Sequence, residues 1–268
     1  MNVINRNNIH FLIGGALMCF TLSCISGKRD AKKQLVWSDE FNYKGLPDSR
    51  KWNYDVGGHG FGNEESQFYT QKRLENARVE NGSLIIEARK ENWEDSQYTS
   101  ARLLTKGKFS FQYGTIEVRA KLPKGKGTWP AIWMLSENTD KWPNDGEIDI
   151  MEHVGYNQGT IHASIHTKNY NNRKVDQKTD TLKVDDASER FHIYKADWTP
   201  DHIDFYIDNT KFLSYKNEKN GEIWPFERPY FLILNVAVGG LWGGIKGIDD
   251  QVFPQKFYID YVRIYQNK

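Results

Sequence analysis

Cysteine is nearly absent: the 268-residue chain has two, Cys19 and Cys24, both within its first 24 residues. The body of the protein therefore holds no disulfide and no cysteine metal site. Charge imbalance is missing as well, with 36 basic against 35 acidic residues and a formal net charge of +1. A chain this close to neutral has no electrostatic preference for nucleic acid or for a polyanion, so a neutral partner is the better match. Long apolar runs are lacking too. The stretch from Ile9 to Leu22 is interrupted by Gly14, Gly15 and Ala16 and is too short for a comfortable membrane span. No internal repeat, low-complexity tract or linker to a second domain is visible.

With Arg6 ahead of it, the short apolar run has the pattern of a secretory signal peptide, expected over residues 1–23. It closes on Thr21-Leu22-Ser23-Cys24, which resembles a bacterial lipoprotein cleavage site with Cys24 as the acylated residue. Residues 24–34 then read as a short polar tether and residues 35–268 as a single domain. The expected location is exported, as an outer-membrane or periplasmic lipoprotein, with simple secretion as the alternative. Any membrane attachment would run only through the lipid at Cys24.

What the body does contain is 38% hydrophobic and 14% aromatic residues, enough for one substantial core. They fall in short alternating segments, among them Ser83–Ala88, Thr99–Leu103, Phe109–Phe111 and Thr115–Leu122. Turn signals such as Asn81-Gly82 separate them, and this spacing predicts an all-β sandwich or barrel. Phe191–Trp198 and His202–Asp208 read as a hairpin, and Pro229–Val238 as a strand buried on both sides. The polar stretch from residue 168 to 188 reads as a long surface loop.

Gly146-Glu147-Ile148-Asp149-Ile150-Met151-Glu152 places three carboxylates in one apolar-interrupted strand. Strict alternation puts Glu147 and Asp149 on one face but buries Glu152 among the isoleucines. An unpaired carboxylate in an apolar layer costs several kcal/mol or titrates to its neutral form. A β-bulge at Ile150 or Met151 restores Glu152 to the acidic face. Glu147 and Glu152 would then be roughly 13 Å apart at their α-carbons. Two glutamates leaning together can reach the roughly 5 to 5.5 Å between carboxyl groups that a retaining glycosidase needs. Asp149 between them would couple to one or both, keeping one ionised and helping the other hold a proton. Taken alone, the spacing leaves a solvated acidic strand face equally open. Tryptophans upstream, at Trp129, Trp133 and Trp142, tilt the reading toward a sugar cleft.

The segments Trp129–Leu135, Gly146–Gly155 (GEIDIMEHVG) and Ile165–Tyr170 (IHTKNY) resemble family sixteen of the glycoside hydrolases, in its bacterial laminarinase branch. The resemblance runs from about Val36 to Tyr265. It implies a β-jelly-roll sandwich of two curved antiparallel sheets, with an open concave cleft for a β-glucan. The implied activity is endo-acting hydrolysis of β-1,3-glucan with retention, extending to mixed β-1,3-1,4-glucan, by a monomer that needs no cofactor for catalysis.

Glu147 would be the nucleophile and Glu152 the acid/base; the family order assigns these parts, since spacing does not. The implied substrate contacts are Asn63, Glu65, Arg102, Trp129, Trp133, Trp142, His166, Asn235 and Trp242. Relatives usually carry Trp where this chain has Phe61. A structural calcium is implied on the convex side at Glu40, Gly82 and Asp260, since an all-oxygen shell suits that ion. His162 is expected to be structural. His162 and His166, on one strand with no third ligand evident, do not make a zinc triad. A lichenase, an algal galactan hydrolase, a transglycosylase and a non-catalytic glycan-binding protein on the same fold all stay open from sequence.

Overall fold

The computed structural model describes residues 33–138, 141–171 and 178–268. The expected signal peptide, Cys24 and nearly all of the tether lie outside the described residues. The strands are β1 (Lys33–Asp39), β2 (Asn53–Tyr54), β3 (Gln67–Tyr69), β4 (Ala77–Glu80), β5 (Ser83–Trp93) and β6 (Ser96–Ser100). They continue with β7 (Arg102–Leu104), β8 (Gly114–Lys121), β9 (Thr128–Ser136), β10 (Glu147–His153), β11 (Thr160–His166) and β12 (Lys178–Lys183). The last are β13 (His192–Trp198), β14 (His202–Ile207), β15 (Thr210–Lys216), β16 (Tyr230–Val238) and β17 (Gln255–Asn267).

They form a jelly-roll sandwich. One sheet runs β12-β11-β10-β9-β16-β7-β2; the other runs β15-β14-β13-β8-β17-β5-β6-β3, with β1 beside β17 and β4 beside β5. Pairing is antiparallel except between β3 and β6. The chain passes from one sheet to the other at buried Ala101, between β6 and β7, where the sequence reads as one continuous strand. At the β4–β5 hairpin Asn81 and Gly82 both have positive φ (51° and 75°). A tight hairpin turn needs that backbone, and Asn-Gly supplies it at little cost.

The core lies between the sheets. Ile148, Ile150 and Met151 of β10 pack there with Ile132 and Met134 of β9 and with Leu232, Leu234, Val236 and Val238 of β16. Every residue of β16 is buried, as expected, because its other face is also covered. There Phe231 and Ile233 form a second apolar cluster with Leu104, Trp133 and Leu135 on the outer side of the seven-stranded sheet.

Two expectations need correcting. Residues 168–188 are not all loop: Lys178–Lys183 forms β12, paired with β11 in the register Ser164↔Thr179. Its polar alternation is that of an edge strand half open to water, which composition alone does not separate from a loop. Phe109–Phe111 is not a strand. It makes one bridge, Phe111↔Tyr230, and is held by its rings, with Phe109 stacked on Trp37 and Phe111 edge-on to Trp198.

Two of the implied calcium residues carry ion pairs. Asp260 Oδ2 accepts from Arg119 Nη1 at 2.6 Å, and the carboxylate of Glu40 takes two bonds from Arg263, at 3.0 and 2.8 Å. Gly82 is the second residue of the β4–β5 turn. The oxygens that the resemblance implies at Glu40 and Gly82 are backbone carbonyls, so of these ion pairs only the one between Asp260 and Arg119 involves an implied calcium oxygen.

The exit of β10 is fixed by close packing. A Cβ on Gly155 would lie 1.8 Å from the carbonyl oxygen of Gly125 and 2.5 Å from Thr128 Oγ1. Gly155→Ala is therefore expected to lower stability by about 1–3 kcal/mol through overpacking, read as a lower Tm. An unchanged Tm would show that this loop shifts freely.

Candidate active site

The bulge is present where the acid pattern demands it. Asp149 pairs with Trp133 of β9, Met151 with Ile132 and Glu152 with Ala131, so Ile150 is the residue without a β9 partner. On the other side Asp149 faces Ser164 and Glu152 faces His162. Both residues of the bulge enter the core, and Glu147, Asp149 and Glu152 share the outer face.

Each glutamate is held by an indole. Trp142 Nε1 donates to Glu147 Oε2 at 2.6 Å, and Trp129 Nε1 donates to Glu152 Oε1 at 3.0 Å. Asp149, nearly sealed from solvent, has His166 Nε2 3.0 Å from its Oδ2. The same ring nitrogen is 4.0 Å from Glu147 Oε1. Ligand atoms of Glu147, Asp149 and His166 all fall within 4.8 Å of one another, so this trio is geometrically able to hold a cation. Acid–base coupling uses the same atoms without one.

The electrostatics separate the acids. Burial pushes the Glu152 carboxyl up to about 8, aided by the charges of Asp149 and Glu147 and opposed by His166 and the Trp129 hydrogen bond. Burial also raises Asp149 well above the usual carboxylate range, with further contributions from the charge of Glu147 and a hydrogen bond to it. Near neutral pH the Glu152 carboxyl therefore holds its proton.

A second polar chain starts on the same face as the acids. Trp133 Nε1 donates to Asn235 Oδ1 (2.7 Å), Asn235 Nδ2 to the Tyr69 hydroxyl (3.0 Å), and that hydroxyl to Glu65 Oε2 (3.1 Å). Gln67 Nε2 also donates to Glu65 Oε2 (2.7 Å), and Asn63 Nδ2 reaches Glu65 Oε1 at 3.4 Å. Burial raises the Glu65 carboxyl above its ordinary value. Arg102 lies against two rings, 5.0 Å from the centroid of Phe61 and 4.7 Å from that of Trp133, and is paired with Asp55 at 3.2 Å.

Most of the residues singled out in the sequence thus converge on one face. Asn235, two residues from Ile233 on β16 and opposite Arg102 of β7, shares the outer face, where its amide bonds Trp133 and Tyr69. Trp242 sits at the Glu152 end, edge-on to Trp129 at 5.3 Å and to His162 at 4.9 Å. His162 is half-buried there, opposite the acid, and more closely tied to the site than its sequence context suggests. Sequence reading missed Asp55, Gln67 and Tyr69. For the last two a signal existed, because Glu65, Gln67 and Tyr69 alternate and so share a face.

A sandwich with two indole-capped glutamates, a shared carboxylate between them and an aromatic floor defines a polysaccharide-cleaving site. The model of the family described as Glycosyl hydrolases family 16 matches residues 64–263, and the chain belongs to that family. It is 48% identical over 266 residues to the beta-glucanase of Rhodothermus marinus, covering 96% of this chain and 93% of that protein. The solved laminarinase of Rhodothermus marinus superposes with a TM-score of 0.88 at 50% identity, over 90% of this chain and 100% of that one. SCLam, a non-specific endo-beta-1,3(4)-glucanase, gives a TM-score of 0.85 at 47% identity, over 88% of this chain and 92% of its own.

The Trp129 hydrogen bond stabilises the ionised form of Glu152, so its loss should raise the carboxyl further. Trp129→Phe is expected to move the alkaline limb of the pH–activity profile to higher pH. A limb that stays in place would separate Trp129 from the ionisation of Glu152.

Proposed function

We propose that this chain is an endo-acting, retaining β-1,3-glucan hydrolase in which Glu147 is the nucleophile and Glu152 the acid/base. The observation that carries this reading is the pairing of a proton-holding Glu152 with an indole-capped Glu147 on one bulged strand. The Glu147 carboxylate attacks the anomeric carbon while the proton of Glu152 passes to the glycosidic oxygen, and the bond to the leaving sugar breaks. Water then enters, Glu152 takes its proton, and the new hydroxyl displaces Glu147 with net retention. Asp149 and His166 act on the nucleophile side, where Asp149 is hydrogen-bonded to Glu147 and His166 orients Asp149.

The relatives named as laminarinase and beta-glucanase support β-1,3-glucan as substrate. The similarity to a non-specific endo-beta-1,3(4)-glucanase makes mixed-linkage glucan the second polymer to test. Catalysis is assigned to side chains alone, and calcium receives no part in it. Export, with attachment through Cys24, rests on the leader-like sequence, and a monomer is the working assembly.

Glu147→Gln and Glu152→Gln are each expected to abolish release of reducing ends from laminarin while the fold, followed by circular dichroism, is kept. Near-normal turnover by either variant would sink the assignment. Azide added to Glu147→Ala should yield an α-glycosyl azide, whereas a β-azide would move the nucleophile to the other glutamate. For the wild type, activity should fall as pH rises through about 8, because the donor proton of Glu152 is lost there. A profile that is flat across that range would contradict the acid role.

A further inference from the structure

The seven-stranded sheet ends at β2, four strands from β10 and so roughly 19 Å from the acids at about 4.8 Å per strand. Beyond that edge the surface is mixed, with Trp52, Tyr54 and Leu104 set among Lys72, Lys106 and Lys108. A groove of about 540 Å³ begins at Leu104, which belongs to the same outer cluster as Trp133, and runs past Asn53, Tyr54 and Lys106 to Gln71 and Lys72. Gln71 and Lys72 also line a second groove, of about 600 Å³, that continues to Phe68, Leu74 and Trp93. The two grooves adjoin at Gln71 and Lys72, beyond the β2 edge of the cleft sheet.

The second groove concentrates exposed apolar surface. Val56, Leu74 and Trp93 line it and are 39%, 49% and 36% exposed, three of the eight large hydrophobic side chains so exposed among the described residues. Clustering of this kind marks a contact surface; single exposed hydrophobics do not. The indole is also held rigid. Arg73 lies 4.8 Å from the centroid of Trp93, and Glu91 fixes its guanidinium through bonds of 2.7 and 3.0 Å. Phe68 packs at 6.4 Å. An aromatic platform whose orientation is set before the ligand arrives loses little entropy on binding. Its rim offers hydrogen-bonding groups in Gln71, Lys72 and Glu94, and the backbones of Lys72 and Glu94 are held at positive φ (51° and 49°).

We propose that this pair of grooves is a second β-glucan-binding surface, with Trp93 as its stacking platform, which grips the polymer beyond the cleft. The proposal rests on the β-1,3-glucanase reading of the cleft and names the same polymer as occupant. Position supports that choice, because the grooves lie beyond the β2 edge of the same sheet that carries the acids. The surface would add affinity for long chains and leave the chemistry untouched. Oligosaccharides that fill only the cleft would not sense it.

Two measurements test it. In the first, wild type, Trp93→Ala, Trp93→Tyr and Glu147→Gln are pulled down in the cold with insoluble β-1,3-glucan. Trp93→Ala is expected to bind about three to ten times more weakly, the loss of one stacking contact, while Trp93→Tyr and Glu147→Gln keep wild-type binding. In the second, Trp93→Ala should raise KM for polymeric laminarin with kcat unchanged, and leave kcat/KM for short laminari-oligosaccharides as in the wild type. Equal pull-down of Trp93→Ala and wild type would overturn the proposal, as would equal losses on short and long substrates. The pull-down does not depend on turnover, so a failure of the catalytic assignment would appear separately, as activity retained by Glu147→Gln.

Discussion

The cleft depends on one irregularity in β10. A regular strand could not present Glu147, Asp149 and Glu152 together and still give Ile148, Ile150 and Met151 to the core. The extra residue satisfies both demands: apolar side chains on either side of the break go inward, and the third acid returns to the surface. Without it, a carboxylate would enter an apolar layer at a cost of several kcal/mol. The core side of the strand is thus as much a part of the site as the acidic side, because the packing of Ile150 and Met151 against β9 and β16 holds the register in which the acids line up.

A second constraint acts across the sheet. Trp133 lies on β9 beside the acids, and its indole is tied through Asn235 and Tyr69 to Glu65, on the segment leading into β3. That chain joins the two sheets, since Asn235 belongs to β16 and Tyr69 to the sheet opposite. Buried polar groups in such a chain are costly to leave unpaired, so the chain sets one geometry for the platform and disfavours others. Arg102 completes the arrangement from above β7, where two rings and Asp55 hold its charge.

Much of this is legible in the sequence because it follows from period two. Alternation alone places Glu147 with Asp149 and Trp129 with Trp133, and the price of burying Glu152 predicts the bulge. Asn81-Gly82 announces its hairpin by the backbone it needs. The rest depends on what lies across space. Nothing near Ala101 signals that the chain changes sheets there. The partner of Trp142 is five residues away on a different element, and Asp55 meets Arg102 only because β2 pairs with β7. Asp260 likewise meets Arg119, its ion-pair partner, only in the folded sheet.

The proposed roles require the two glutamates to differ in protonation. Each accepts one indole N–H, so those bonds cannot decide which acid keeps its proton. The difference lies in what else surrounds them. Glu147 has His166 within 4.0 Å and a hydrogen bond to Asp149. Glu152 has burial and the charge of Asp149 acting on it, with Trp242 and His162 closing its end of the cleft, and both leading effects favour the neutral form. The two forms of Asp149 act differently: protonated, it donates a hydrogen bond to Glu147; ionised, its charge makes it harder for Glu152 to ionise.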